Sequence, residues 1–251
     1  FGVKLLIRDL FRHTTIPEHI LLLRTWKSKT LKPIEKTILQ ERYPLSSSQR
    51  RIWILSQFEA ASIAYNIPVA FLLEGELNAG ILQKSFTEMI NRHESLRTVF
   101  HSDAEGNVYQ VVRLPEDIHF ALDFYDTGSA DSALAELVGT ALGKEFSTPF
   151  DLKNGPLLRG CLYRSAPDKH VLIFTMHHII SDAWSMQIIA REILTLYNSF
   201  MKGQPSPLTT LPIQFKDYSA WQLGQLEGDA LVEHRNYWME KFSGEAPVLD
   251  I

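Results

Sequence analysis

The chain has 251 residues, 45% of them hydrophobic and 22% charged, with a formal net charge of -4 at pH 7. These are globular values, sufficient for one sizeable core, and they exclude the basic footprint of a nucleic-acid binder. The single cysteine excludes an internal disulfide framework and suits a reducing compartment, and no apolar run approaches the length of a membrane span. The chain opens on Phe1 within a helix-like pattern and without a signal-peptide pattern, which predicts a piece of a longer protein.

Residues 1–27 read as amphipathic helix, broken around Thr15-Ile16-Pro17-Glu18, where Thr15 is a plausible N-cap and Pro17 suits a first helical turn. Residues 28–42 are charged and polar, carry Pro33, and read as a linker. Ser46, with Gln49 three residues on, makes a capping-box pattern, so Gln49, Arg51 and Trp53 are expected to cap and pack a helix. Asn66 to Leu73 reads as a strand, and Asn78 caps a helix reaching Ile90 with a buried stripe of Ile81, Leu82, Phe86, Met89 and Ile90. Strands follow at Arg97–His101 and Val108–Val112, joined by the turn 103–107. Residues 114–129 read as loop, 130–143 as helix, and Leu157–Arg164 as a strand whose Cys161 is a packed thiol. After residues 202–211, a loop with Pro205 and Pro207, helices are expected at 213–226 and 229–242.

The most informative stretch lies between these. Lys169–Thr175 is short, β-branched and aromatic, hence a buried strand, and Ile189, Ile193, Leu196 and Phe200 recur at helical spacing beyond it. Between them runs Met176-His177-His178-Ile179-Ile180-Ser181-Asp182-Ala183-Trp184-Ser185. A strand-to-helix turn of this kind projects side chains from a rigid edge, where α/β proteins place their chemistry. Adjacent residues on extended backbone face opposite ways, so one histidine faces the sheet body and the other a cleft. His178 is the candidate base and His177 the packed partner. Asp182 either orients the imidazole or pins the turn by pairing with a distant arginine, Arg92 or Arg97. A metal centre is disfavoured because the two imidazoles diverge and only one carboxylate is near.

This stretch resembles the His-His-x-x-x-Asp-Gly signature of the condensation domains of nonribosomal peptide synthetases, with Ala183 where the family has glycine. Three further motifs resemble that family's in order: Ser46–Leu55, Arg92–Phe100 and Phe215–Trp221. The resemblance covers residues 43–251 and implies an α/β, chloramphenicol acetyltransferase-like lobe with a mixed sheet flanked by helices, the first of two such lobes. Residues 1–27 are similar to the tail of a peptidyl carrier domain. The activity implied is peptide-bond formation between carrier-bound thioesters, with Ser181 and Trp184-Ser185-Met186 resembling the subtype that joins an L-donor to an L-acceptor. The resemblance further implies His178, His177 and Asp182 as catalytic residues, supported by Arg92, Arg97, Ala183, Trp184 and Ser185. Arg92 is the first choice to pair with Asp182, and backbone N–H groups of residues 182–185 are candidates for oxyanion stabilisation. The partners implied are upstream donor and downstream acceptor carriers bearing 4'-phosphopantetheine, an adenylation domain and the second lobe, in the cytoplasm, with no metal, membrane or nucleic acid. Two other classes fit the same residues: a carrier-docking module without catalysis, and a coenzyme A-dependent acyltransferase of the same fold.

Overall fold

The computed structural model describes residues 7–25, 33–128, 131–225 and 229–244. The start of the carrier-like segment, most of the first half of the linker and the closing run 245–251 lie outside them. The chain divides into two compact units, Phe1–Ile34 and Glu35–Ile251.

The first unit holds two helices, α1 (Ile7–Arg12) and α2 (Ile16–Thr25). Thr15 precedes α2, and the Glu18 carboxylate reaches back to accept from both the amide and the hydroxyl of Thr15, at 3.0 and 2.9 Å. Those two bonds hold the Glu18 carboxyl below its ordinary pKa.

In the second unit β1 (Tyr43–Pro44), β3 (Thr98–Ser102) and β4 (Val108–Val112) form a small antiparallel sheet in the order β1-β4-β3. The main sheet has the order β2-β7-β6-β5, made from β2 (Asn66–Glu74), β5 (Leu122–Asp126), β6 (Leu158–Ala166) and β7 (Lys169–His177). Three of its strands are antiparallel, while β5 runs parallel to β6. That pairing requires a crossover, which α6 (Asp131–Ser147) supplies.

β7 is buried from His170 to His177 because both faces of the sheet are covered. On one face Leu172, Phe174 and Met176 join the main core with Phe86 and Met89 of α5 (Ala79–Arg92) and Ile189, Ile193 and Leu196 of α7 (Ala183–Met201). On the other face Val171 and Ile173 pack with Leu134, Val138 and Leu142 of α6. The layers are therefore helix, mixed sheet, helix. α3 (Ser47–Leu55), α8 (Phe215–Gln225) and α9 (Asp229–Lys241) complete the larger helices.

The capping patterns operate as written. Ser46 and Gln49 exchange the two bonds of a capping box, and the Asn78 side chain accepts from the amide of Ile81. Two elements differ from expectation. Residues 122–126, read as loop, form the edge strand β5, which is largely exposed and so carries no alternation to read. A short helix, α4 (Glu59–Ala64), stands before β2 without a side-chain cap. The second half of the expected linker is also tied down. Thr37 donates from its amide and its hydroxyl to Asp217 of α8 at 2.9 and 2.7 Å, and Gln40 N donates to the Tyr43 hydroxyl at 2.9 Å.

Candidate active site

β7 ends at His177, and the two histidines part as the pleat requires. The His177 imidazole is 1% exposed, edge-on to Phe150 and beside Tyr65, with ring centroids 6.0 and 6.1 Å away. Its Nδ1 accepts from the amide of Ile179 at 3.2 Å, which places the proton of the neutral ring on Nε2. His178 is exposed, and its ring meets Tyr65 edge-on at 6.3 Å.

The turn that presents His178 is held from several sides. The His178 amide donates to the Tyr65 carbonyl at 2.8 Å and the His177 amide to the Leu157 carbonyl at 3.1 Å. Ile180 N and the Ser181 hydroxyl both close on the His177 carbonyl, at 3.1 and 3.2 Å. Gln49, buried at the start of α3, donates from Nε2 to the Ile179 carbonyl at 3.4 Å while its Oε1 receives Ser46 N and the Ser219 hydroxyl. Thus three of the motifs singled out in the sequence meet behind His178. Sequence patterns alone do not reveal Tyr65 or the reach of Gln49 to the turn. The pairing of Asn66 with His177 brings Tyr65 there, and only strand register shows that.

Burial lowers the His177 pKa to about 4, and the positive charge of a protonated His178 adds to the shift. The unfolded chain therefore binds this proton up to about pH 6.5 while the folded chain refuses it down to about 4. The linked stability is present above about pH 6.5 and is lost as pH falls toward 4, by at most about 3 kcal/mol. Urea unfolding at pH 7 and pH 4.5 is expected to show that loss, reduced by His177→Gln. An equal loss in the variant would assign it to other groups.

Asp182 does not clasp an arginine. Its side chain caps α7, accepting from the amide and the hydroxyl of Ser185 at 2.7 Å each, while Asp182 N faces the Ser185 oxygen at 3.3 Å. The Ser185 hydroxyl and amide keep the Asp182 carboxyl below the ordinary range, with smaller help from a protonated His178 and the Trp184 amide. Two of the expected oxyanion donors are corrected: the N–H groups of Trp184 and Ser185 are turned toward the Asp182 carboxylate. Asp182→Ala removes the cap at a cost of about 1 kcal/mol, whereas asparagine keeps an acceptor there. Hydrogen exchange in the first turn of α7 is expected to rise about fivefold in the alanine variant and little in the asparagine one.

Arg92 lies elsewhere. Its Nε is 3.2 Å from Glu192 in the middle of α7, and its Nη1 donates to the Thr209 carbonyl. His93 Nε2 meets the same Glu192 oxygen at 2.6 Å. Arg97 pairs with Glu94 at 3.7 Å and donates to the Arg113 carbonyl, with burial drawing its pKa down. Neither arginine pairs with Asp182: each is engaged elsewhere, while that carboxylate caps its own helix. Ala183 takes the first position of α7, and no described non-glycine residue has a positive φ, so a methyl group is accommodated without backbone strain. Trp184 is 72% exposed in the first turn of α7. Cys161 lies within β6 and burial raises its pKa, the opposite of what a nucleophile needs. Among the described residues no group of His, Cys, Asp and Glu side chains forms a metal site, and no helix is long and apolar enough to cross a membrane.

A chloramphenicol acetyltransferase-like α/β lobe with an exposed imidazole at the end of its central strand is thus the class of protein that the fold and site define. The condensation-domain profile matches residues 39–251. One chain of the plipastatin synthase of Bacillus subtilis is 37% identical over 251 residues, 100% of this chain and 9% of that protein. Chondramide synthase cmdD of Chondromyces crocatus is 41% identical over 206 residues, 82% of this chain and 5% of that protein. The X-domain from teicoplanin biosynthesis superposes with a TM-score of 0.72 at 26% identity, covering 87% of this chain and 47% of that one. The first condensation domain of the calcium-dependent antibiotic synthetase shares the fold, with a TM-score of 0.72 at 20% identity over 82% of this chain and 50% of that one. The chain belongs to the condensation-domain family of nonribosomal peptide synthetases. It spans about half the length of these solved chains and less than a tenth of either synthase.

Proposed function

We propose that this chain supplies the histidine-bearing half of a domain that joins two carrier-bound acyl groups through a new amide bond. The observation that carries the reading is the exposed His178 imidazole, mounted on a strand end whose backbone is held by the Tyr65 carbonyl and the buried Gln49. The substrates are an aminoacyl or peptidyl thioester on an upstream donor carrier and an aminoacyl thioester on a downstream acceptor carrier. Both arrive on phosphopantetheine arms belonging to the carriers, which supply the thioester linkage, and an open strand end suits such an arm. His178 receives a proton from the acceptor amine as it attacks the donor carbonyl, or holds that amine in line. The carbonyl–sulfur bond breaks as the carbon–nitrogen bond forms, and the donor sulfur leaves as a thiol with the proton that the amine gave up.

His177 keeps the turn in register as a neutral ring, and Asp182 sets the start of α7. Arg92 and Arg97 act at a distance, by fastening the motif around residues 92–100 to α7 and to Arg113 just past β4. Ser181 before the aspartate and Trp184-Ser185-Met186 after it support the L-donor to L-acceptor subtype. Residues 1–27 are assigned to the tail of a carrier domain, 28–42 to the junction, and 43–251 to the first lobe. An adenylation domain and a second lobe adjoin in the whole protein, in the cytoplasm. Incubating the full-length protein with carriers loaded with L-aminoacyl groups is expected to yield the dipeptidyl thioester on the acceptor carrier. Transfer to a soluble amine from coenzyme A alone, with no carrier-bound product, would overturn the reading.

A further inference from the structure

Behind His177 three buried side chains each keep one polar atom without a hydrogen-bond partner among the described residues: His177 Nε2, Thr175 Oγ1 and Asn66 Oδ1. All three residues are at most 4% exposed. Register brings them together. Thr175 and His177 are two apart on β7 and so share a face, and Asn66 stands directly opposite His177 on β2. Directly opposed Cβ atoms lie about 5 Å apart, and neighbours along one face of a strand about 7 Å, so the three side chains sit together on one face. Arg159, opposite Thr175, flanks them and shares the Glu145 and Thr148 carbonyls with Asn66. This is the α6 side of the sheet.

The chemical character of each atom is set by its neighbours. His177 Nδ1 accepts from Ile179 N, so Nε2 carries the proton and is a donor. Asn66 Nδ2 donates to the carbonyls of Glu145, Phe146 and Thr148, so its Oδ1 is an acceptor. The Thr175 hydroxyl offers an acceptor lone pair in any rotamer. The complement of one donor and two acceptors is a molecule with one acceptor and two donors. A cation is repelled by the N–H, and an anion by the two oxygens.

We infer that one buried water molecule binds here, accepting from His177 Nε2 and donating to Asn66 Oδ1 and Thr175 Oγ1. Burying a polar atom unpaired is unfavourable, and a water with these three partners gives each atom a hydrogen bond that the described residues do not supply. The consequence reaches the surface. The water holds the Nε2–H tautomer of His177, which leaves Nδ1 free to receive Ile179 N and keeps the turn closed beneath His178. Asn66 and Thr175 are thereby positioning residues for His178; that last step, unlike the water site itself, rests on the proposed function.

A structure of the intact protein at water-resolving resolution is expected to show ordered density within hydrogen-bond distance of all three atoms. In the same protein Thr175→Val, which keeps the shape and removes the hydroxyl, should speed amide exchange in the 177–182 turn about tenfold, while Thr175→Ser should leave it as in the parent. Ordered protein with no water touching the three atoms, or valine and serine variants that exchange alike, would overturn the inference. Neither readout depends on turnover, so the result stands apart from the proposed reaction.

Discussion

Replacing His178 by alanine in the full-length protein is expected to lower amide formation by about 10²- to 10⁴-fold, the range lost with a general base or positioning group. The fold should not register the change. The imidazole is exposed, and the bond that anchors this residue runs from its backbone amide to the Tyr65 carbonyl, which alanine retains. Removing such a side chain shifts stability by no more than about 0.5 kcal/mol. Thioester loading of both carriers should remain at the parent level, so that the loss is confined to the transfer step. Product formed at the parent rate by the alanine variant would remove His178 from the mechanism.

Glu192→Ala is expected to have the largest effect on stability. This carboxylate is 8% exposed on α7 and receives both Arg92 and His93 from the end of α5. Its removal leaves a guanidinium mostly out of water with only the Thr209 carbonyl, and breaking one side of a buried pair costs about 3 kcal/mol. For a unit of this size that corresponds to a melting point lower by roughly 6–12 °C. Arg92→Ala should cost a similar amount, and the double variant less than the sum, because the two residues share the interaction. Ten residues of helix separate Asp182 from Glu192, about 15 Å along α7. Single variants that melt like the parent, or effects that add, would reject the link.

The parts of the fold that local chemistry controls are readable from the residues alone. Ser46 with Gln49, and Asn78 ahead of its apolar stripe, mark helix starts because the bonds they make lie within one turn. The run 169–175 reads as a strand because both of its faces are buried, and the divergence of His177 from His178 follows from the pleat. What depends on distant pairing is hidden. β5 is a strand because β6 lies beside it, and its own exposed residues carry no pattern. Tyr65 enters the site through the register of β2 on β7. Asp182 is the instructive miss. It stands immediately before a helix, with Ser185 three residues on, which is the spacing of a cap. Expecting a buried carboxylate there suggests an arginine partner, whereas the side chain is near the surface and spends its acceptors on its own helix. Arg92 does pair with a carboxylate, but that carboxylate belongs to Glu192, which no spacing in the sequence connects to it.

The role of His178 turns on where the reacting amine lies. The most direct measurement is a structure of the intact protein with donor and acceptor carriers bearing unreactive amide-linked analogues of their thioesters. The acceptor nitrogen is expected within hydrogen-bond distance of a His178 ring nitrogen, with the donor carbonyl beside it. Both arms ordered and meeting elsewhere, with His178 facing only solvent, would contradict it.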